Sequence, residues 1–399
     1  MIHYRLLLPI LAIFASIASY GQLFKPLGLG MDKCYMREGG CFRPQLHVEG
    51  DILYACTNQG LFSMDLSDDG NEWQLVGFEG IPIQNYARRG DEMLALRYNH
   101  EDTRYLLLSH DEGKTYEDIT PDIIKIKEGI SFLNFDQHPI QSDALIVSSW
   151  PSGGIYKSAD FGKTWEKVSD TTPEYIGFHP TQPEIIYETG YKILESYLDL
   201  QITYNGGETW QDQSSSIGMR GTVMRIAFSP ANPDRWIAGG SHQIYSSMDN
   251  GHTWNVYEFL HETPVNWDYV SNWHFTTYDD DNADIVYMTG YQNTEHKIMC
   301  STDGGKSWSK PYIEPTKKEP EELMFDMKQY KDKLLILTET DVYEVSKAEL
   351  LSELQTSVQS LEPPAKEEAT VYDLLGRQTT EPKLSRGIYI QNRRKIVTQ

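Results

Sequence analysis

The chain has 399 residues, 39% of them hydrophobic and 12% aromatic, which is ample for a large core, and a formal net charge of −23. That acidity makes duplex nucleic acid and anionic membrane surfaces poor partners, because both repel it. Solubility is the plain reading of the charge, and repeats rather than length guide the domain count.

Residues 1–21 read as a secretory signal peptide. Arg5 supplies the positive start, Leu6 to Ala18 the apolar stretch, and Ser19 and Gly21 the small residues before a cut ahead of Gln22. No Cys sits at the cut, and no later stretch reaches the roughly 20 apolar residues of a membrane span. The mature chain is expected to be an exported monomer (periplasmic, surface-held or secreted). In such a compartment Cys34 and Cys41 can close a small loop around Arg37, while Cys56 and Cys300 read as core thiols. The Cys spacing does not make a zinc site and His is scattered, so no metal or cofactor is expected.

One eight-residue phrase organises the rest of the chain: Ser/Thr-x-Asp/Asn-x-Gly-x-Thr/Ser-aromatic. It runs from Ser109 to Tyr116, Ser158 to Trp165, Thr203 to Trp210, Ser247 to Trp254 and Ser301 to Trp308, with a worn copy at Asp68, Gly70 and Trp73. Each is a hairpin-turn signal. The Asp or Asn side chain accepts from backbone N–H groups further on, and Gly takes positive φ without a Cβ clash. From Asp68 to Asp111, Asp160, Asn205, Asp249 and Asp303 the steps are 43, 49, 45, 44 and 54 residues. That is the period of a four-stranded blade.

In chain order, the stretch around Phe24 to Leu29 is expected to lend a closing strand to the last blade. Blades come next at about 46–78, 81–120, 129–168, 173–213, 223–257 and 273–312, and a three-stranded remainder at about 320–347. A second turn recurs inside the blades, at Phe135–Pro139, Phe178–Pro183, Phe228–Pro233 and Tyr278–Asn282. The Asp279–Asp284 turn lacks the alternating ligands and Gly of a calcium loop and reads as a solvated turn. Residues 348–369 read as a linker, its first part a short helix or loose chain, and 370–399 as a β-hairpin tail.

The phrase resembles the Asp-box, or BNR repeat, of sialidases, sortilin-type receptor domains, xyloglucan-hydrolysing endoglucanases and photosystem II assembly factor-like proteins. The resemblance covers roughly residues 46–347. It implies an all-β chain with a single propeller, 22–347, of about seven four-stranded antiparallel blades, with each box on the turn between third and fourth strands. Asp68, Asp111, Asp160, Asn205, Asp249 and Asp303 are then scaffold, not paired acids or metal ligands. The tail is similar to the C-terminal sorting signal of the type IX secretion system in Val371, Tyr372, Asp373, Gly376, Arg377, Gly387, Tyr389 and the basic run Arg393 to Lys395. It is shorter than that family's domain, and it implies the secretion machinery as a partner.

The resemblance places ligands at one mouth of the central channel, away from the boxes. Candidate mouth residues are Trp150, Tyr191, Arg220, Arg225, Asn272, Trp273, His274 and Tyr291. Rings stack on sugar faces, Arg forks grip carboxylates, and the same set suits a protein interface. Sialidase chemistry needs three Arg on one carboxylate and a Glu-activated Tyr, and no such triad can be assigned. Asp268, Glu188 and Glu295 are possible acids of a two-carboxylate hydrolase. The reading is an exported, non-catalytic propeller for a glycan or extracellular protein; the alternative is a glycoside hydrolase.

Overall fold

The computed structural model describes residues 23–34, 44–68, 70–98, 104–120, 132–150, 153–192, 197–214, 225–240, 243–258, 272–292, 295–309, 312–313 and 324–355, and in the tail 371–373, 378–379, 387–391 and 394–398. After β1 (Phe24–Pro26) and the one-turn helix α1 (Met31–Cys34), strands come in consecutive groups of four, each an antiparallel sheet. Blade 1 is β2 (Leu46–Glu49), β3 (Ile52–Thr57), β4 (Gly60–Asp65) and β5 (Gln74–Gly77). Blade 2 is β6 (Ile83–Arg89), β7 (Glu92–Tyr98), β8 (Arg104–Ser109) and β9 (Glu117–Asp118). Blade 3 is β10 (Phe132–Gln137), β11 (Leu145–Trp150), β12 (Gly154–Ser158) and β13 (Glu166–Ser169). Blade 4 is β14 (Tyr175–Phe178), β15 (Ile186–Lys192), β16 (Tyr197–Thr203) and β17 (Gln211–Asp212). Blade 5 is β18 (Ile226–Phe228), β19 (Trp236–Gly239), β20 (Gln243–Ser247) and β21 (Asn255–Glu258). Blade 6 is β22 (Asn272–Tyr278), β23 (Val286–Gln292), β24 (Glu295–Ser301) and β25 (Tyr312–Ile313). Blade 7 is β26 (Met324–Tyr330), β27 (Lys333–Thr338) and β28 (Val342–Ser346), completed by β1. The protein is a β-propeller of seven four-stranded blades.

The core lies between neighbouring blades. Leu94, Leu96 and Leu106 of blade 2 pack on Phe135, Leu145, Tyr156 and Phe161 of blade 3. Tyr187, Leu200 and Ile202 of blade 4 pack in the same way on Ile226, Trp236 and Tyr245 of blade 5. Because both faces of a middle strand are covered, Met93, Leu94, Ala95 and Leu96 are all fully buried. This is why these strands read as continuous apolar runs rather than as alternating ones.

The five clear boxes adopt one geometry. In blade 3 the Asp160 carboxylate accepts from Thr164 N (2.8 Å), Thr164 Oγ1 (2.7 Å) and Ser158 Oγ (2.8 Å), and Ser158 Oγ accepts from Gly162 N (2.8 Å). Asp111, Asp249 and Asp303 repeat the set within 0.2 Å. Asn205 substitutes its amide, donating to Thr209 Oγ1 (3.0 Å) while accepting Thr209 N (3.0 Å). The Thr115 N–H, then its hydroxyl, holds the Asp111 carboxyl below the ordinary carboxylate value. In Asp160, Asp249 and Asp303 partial burial pulls upward, and the donated hydrogen bonds outweigh it.

The box glycine has a second duty that its sequence does not show. Gly251 has φ +78°, and a Cβ there would lie 2.5 Å from the Trp236 ring and 2.8 Å from Ile202 of the preceding blade. Gly113, Gly162, Gly207 and Gly305 likewise press on Gly77, Ile119, Val168 and Ile237 of the blade before. The residue ahead of each glycine donates its N–H to the second recurrent turn of its own blade, at Asp91, Asp143, Glu184, Asp234 or Asp284. That turn is capped from within by His138 Nδ1, His179 Nδ1, Ser229 Oγ or the Asp279 carboxylate. Asp279 also pairs with Lys347 at 2.8 Å, so this acidic turn is tied into the fold.

Asp68 departs from expectation. The strand before the worn copy ends at Asp65, one residue further from its ring, Trp73, than the strands of the other boxes are from theirs. The turn's hydrogen bonds therefore centre on Asp65, which accepts Ser67 N (2.8 Å) and Ser67 Oγ (2.6 Å), and Asp68 is exposed.

The ring closes as its strand count requires. β1 pairs antiparallel with β28 through Phe24 and Val345, Lys25 and Glu344, Pro26 and Tyr343. The Asp341 carboxylate then takes Leu29 N (2.7 Å) and Gly28 N (3.2 Å). The first part of the expected linker is a helix, α2 (Lys347–Gln355), whose Leu350 and Leu354 are fully buried with Leu23, Phe24, Tyr287 and Ile298. Cys34, Cys56 and Cys300 are all buried; Cys41 lies outside the described residues, and with it the expected pairing to Cys34. Residues 359–399 form a separate unit. In place of a hairpin it holds a four-stranded antiparallel sheet of β29 (Val371–Asp373), β30 (Gln378–Thr379), β31 (Gly387–Gln391) and β32 (Arg394–Thr398), ordered β30-β29-β31-β32.

Candidate functional site

The innermost strands of all seven blades surround a channel cavity of about 1080 Å³. These strands belong to different sheets, and polar side chains stitch them together. Asn85 Nδ2 donates to Phe135 O (3.0 Å), Phe178 N to Asp136 Oδ2 (2.9 Å) and Leu46 N to Asp326 Oδ2 (3.0 Å). The Gln137 amide donates to Arg88 O (2.9 Å) and accepts Arg88 N (3.2 Å). Lys328 lies 3.2 Å from Asp326, and the Tyr86 hydroxyl donates to Glu49 (2.6 Å).

Burial dominates the titration of this layer. It lowers His47 to about 4, helped by the positive charge of Lys328. It raises Asp136 to about 6, against the Phe178 N–H and the Arg225 charge. Burial likewise drives the Tyr86 hydroxyl up, reinforced by Glu49, so it is the reverse of an activated nucleophile. Sequence reasoning missed His47, Asp136 and Asp326. The signal was weak: each is a titratable residue in a first strand that carries other polar residues, Glu49 in β2, Asn134 and Gln137 in β10, and Lys328 and Gln329 in β26.

Arg225, expected at the mouth, lines the channel with its guanidinium 5.8 Å from the Tyr175 ring centre. It makes no ion pair with a described residue, and several other propeller arginines are held by their neighbours. Arg88 donates to Tyr54 OH and Gly90 O, Arg89 binds Glu92 and Asp143, and Arg235 binds Asp284. Among the described residues, Arg88 and Arg225 are the arginines that line the channel, so three converging guanidinia are not assembled there.

The ladder registers place most other candidates at one end. Trp150 ends β11 opposite Phe132, Tyr191 pairs with Leu198, and Asn272 opens β22 opposite Tyr291. Trp273 pairs with Gly290, and His274 sits at the bulge after it. All lie where inner strands begin, opposite the box turns. Their side chains, and Arg220 and Asp268 altogether, lie outside the described residues. Glu188 is not a mouth acid. It is a buried ladder residue that accepts Thr171 Oγ1 (2.6 Å). Glu295 opens β24, its side chain also outside the described residues.

The blades differ in height at this end. Measured from the recurrent inner turn, the ladder runs from Glu184 to Lys192 in blade 4 and from Asp284 to Gln292 in blade 6. In blade 3 strand β11 ends at Trp150 from Asp143, and in blade 5 the hairpin closes at Gly240 from Asp234. Among the described residues β15 and β23 thus run one residue further than β11 and two further than the blade 5 ladder, about 7 Å in the latter case at the strand rise.

Comparison with known proteins agrees with this geometry. A family model described as Sortilin, neurotensin receptor 3 (Sortilin-Vps10) matches residues 198–373, under half of the chain. The fold is a β-propeller of the sialidase and sortilin kind. Among solved structures, the GH74 xyloglucanase from Xanthomonas campestris is similar at 14% identity and TM-score 0.59, over 80% of this chain and 53% of that one. YCF48 bound to D1 peptide is similar at 14% identity and TM-score 0.53, over 78% of this chain and 95% of that one. YCF48 from Cyanidioschyzon merolae is similar at 13% identity and TM-score 0.52, over 82% and 99%. This chain spans about half the length of the GH74 enzymes it resembles. No curated protein matches the sequence. At these identities the likeness fixes the fold and leaves the chemistry to the residues.

Proposed function

We propose that this is an exported, non-catalytic propeller that binds a glycan or extracellular protein at the mouth end of its channel. One observation carries the reading: Arg225 lines the channel without an ion-pair partner among the described residues, while the lining acids Asp136 and Glu49 accept hydrogen bonds from Phe178 N and the Tyr86 hydroxyl. A guanidinium on a tyrosine face is a ready receptor for a ligand carboxylate or hydroxyl pair. Trp150, Tyr191, Asn272, Trp273, His274, Tyr291 and Arg220 supply the surrounding contacts in this reading. The Asp-box turns serve as scaffold, and the tail after residue 370 serves export through a type IX-like machinery.

A second reading, a glycoside hydrolase, is favoured by Asp136 alone, since a carboxyl near 6 lies in the range of a general acid. One experiment separates them. The mature protein is screened on a glycan array and against released polysaccharides with a reducing-sugar assay. Binding lost in Arg225→Ala but kept in Asp136→Asn supports the receptor; turnover abolished by Asp136→Asn overturns it.

A further inference from the structure

The inner turns of blades 3 to 6 share one shape but not one cap. In blade 3 the His138 Nδ1 accepts Ile140 N (3.2 Å) and Gln141 N (2.9 Å). In blade 4 the His179 Nδ1 accepts Thr181 N (3.3 Å) and Gln182 N (3.2 Å). Blade 5 uses the Ser229 hydroxyl, which accepts Asn232 N (3.2 Å), and blade 6 the Asp279 carboxylate. Both histidines are fully buried. A ring nitrogen that accepts carries no proton, so each imidazole is neutral with its hydrogen on Nε2, which in His179 reaches Pro233 O at 3.1 Å. A proton arriving at Nδ1 removes the acceptor and sets a third N–H against the two it held. A serine cap has no such step.

We propose that His138 and His179 form an acid-operated latch at the box end, which frees the inner turns of blades 3 and 4 as pH falls and leaves that of blade 5 closed. The charges that bear on His138 are His179 and Glu184 of the blade 4 turn; those on His179 are Glu184 and, from the blade 5 turn, Asp234. On the blade 2 side Arg89 is taken up by Glu92 and Asp143. Burial outweighs the two acids and holds both rings below the usual histidine value. In an opened turn the ring titrates near the ordinary value of about 6.5, so below it every proton bound favours the open form. The release spreads beyond the turns. Asp143 O and Glu184 O, inside them, accept Phe161 N (2.9 Å) and Gly206 N (2.8 Å) of the boxes. His138, Pro139, Ser142 and Pro180 also line the channel cavity, so the latch bears on its box end whatever the mouth binds.

The test is amide hydrogen exchange on the full mature chain from about pH 7.5 to about pH 4.5, with rates corrected for the intrinsic pH dependence of exchange. Segments 138–144 and 179–185 should lose about tenfold or more in protection across this range, and segment 229–235 less than about twofold. His138→Ser combined with His179→Ser, which installs the cap blade 5 already uses, should abolish the acid response of both turns. A second readout needs no variant. Imidazole nitrogen shifts of the labelled wild type should show the Nε2–H form of both rings at neutral pH, and a titration that coincides with the loss of protection. Equal loss in blades 3, 4 and 5 would mean general acid loosening and overturn the latch. So would protection that stays constant to pH 4.5, an acid response that survives in the double variant, or a proton on Nδ1 at neutral pH.

Discussion

The two ends of the propeller obey opposite rules. At the box end five blades repeat one set of hydrogen bonds to within a few tenths of an ångström, whether the central residue is Asp111, Asp160, Asp249, Asp303 or the amide Asn205. At the mouth end the blades part company: β15 and β23 run on, β19 stops at a pair of glycines, and the register position of Arg225 in blade 5 is held by Tyr175 in blade 4 and Asn134 in blade 3. Repetition marks what every blade needs in order to stand. What a ligand can distinguish lies where repetition fails.

The severest way to break the repeating end is at a glycine. Gly251→Ala adds left-handed strain and drives a methyl into Trp236 and Ile202, and should cost about 2–5 kcal/mol in denaturant unfolding. A loss under about 0.5 kcal/mol, the range of an ordinary surface change, would show that the box glycine does not join blades.

Removing a box acid should cost less. Asp160→Ala strips the acceptor from Thr164 N, Thr164 Oγ1 and Ser158 Oγ and should cost about 1–3 kcal/mol. Asp68→Ala, at the exposed worn copy, should stay within about 0.5 kcal/mol. Equal effects would mean that the two turns are alike after all.

Acid sharpens the comparison at the channel. His47 is held down to about 4, and His138 and His179 are also lowered by burial. Their contribution is complete above about 6.5 and is lost as pH falls towards 4. Asp136, raised to about 6, has the opposite sign: its contribution is complete below the usual carboxylate value and is lost as pH rises through 6. The denaturation midpoint should therefore fall from about pH 6.5 to about 4, more steeply in Asp136→Asn and less steeply in His47→Gln. The same slope in all three proteins would remove the channel layer from the pH response.

The fold was legible because its signals recur. Six boxes and the Pro- or Asp-rich inner turns set blade boundaries within a few residues, and the three-strand remainder at 324–346 called for the partner that β1 provides. Packing was less legible. That Gly207 presses on Val168, or that Leu350 and Leu354 seat a helix over blades 6 and 7, depends on neighbours distant in sequence. The candidate site was less legible. Arg225 was expected to face the channel and lines it, but Glu188 looked like a loop acid because a long β15 cannot be told from a loop by composition. Asp136 and His47 escaped because a charged residue in a first strand has meaning only once seven such strands face one another.

The central claim is that ligand is held at the mouth end through Arg225 and that the box end only supports it. The most direct measurement compares three proteins, wild type, Arg225→Ala and Asp160→Asn, for binding of the tightest array hit by calorimetry, each checked for folding by circular dichroism. The account predicts at least a tenfold weaker Kd in Arg225→Ala and an unchanged Kd in Asp160→Asn. Unchanged binding in Arg225→Ala, or loss in Asp160→Asn with the fold intact, would contradict it.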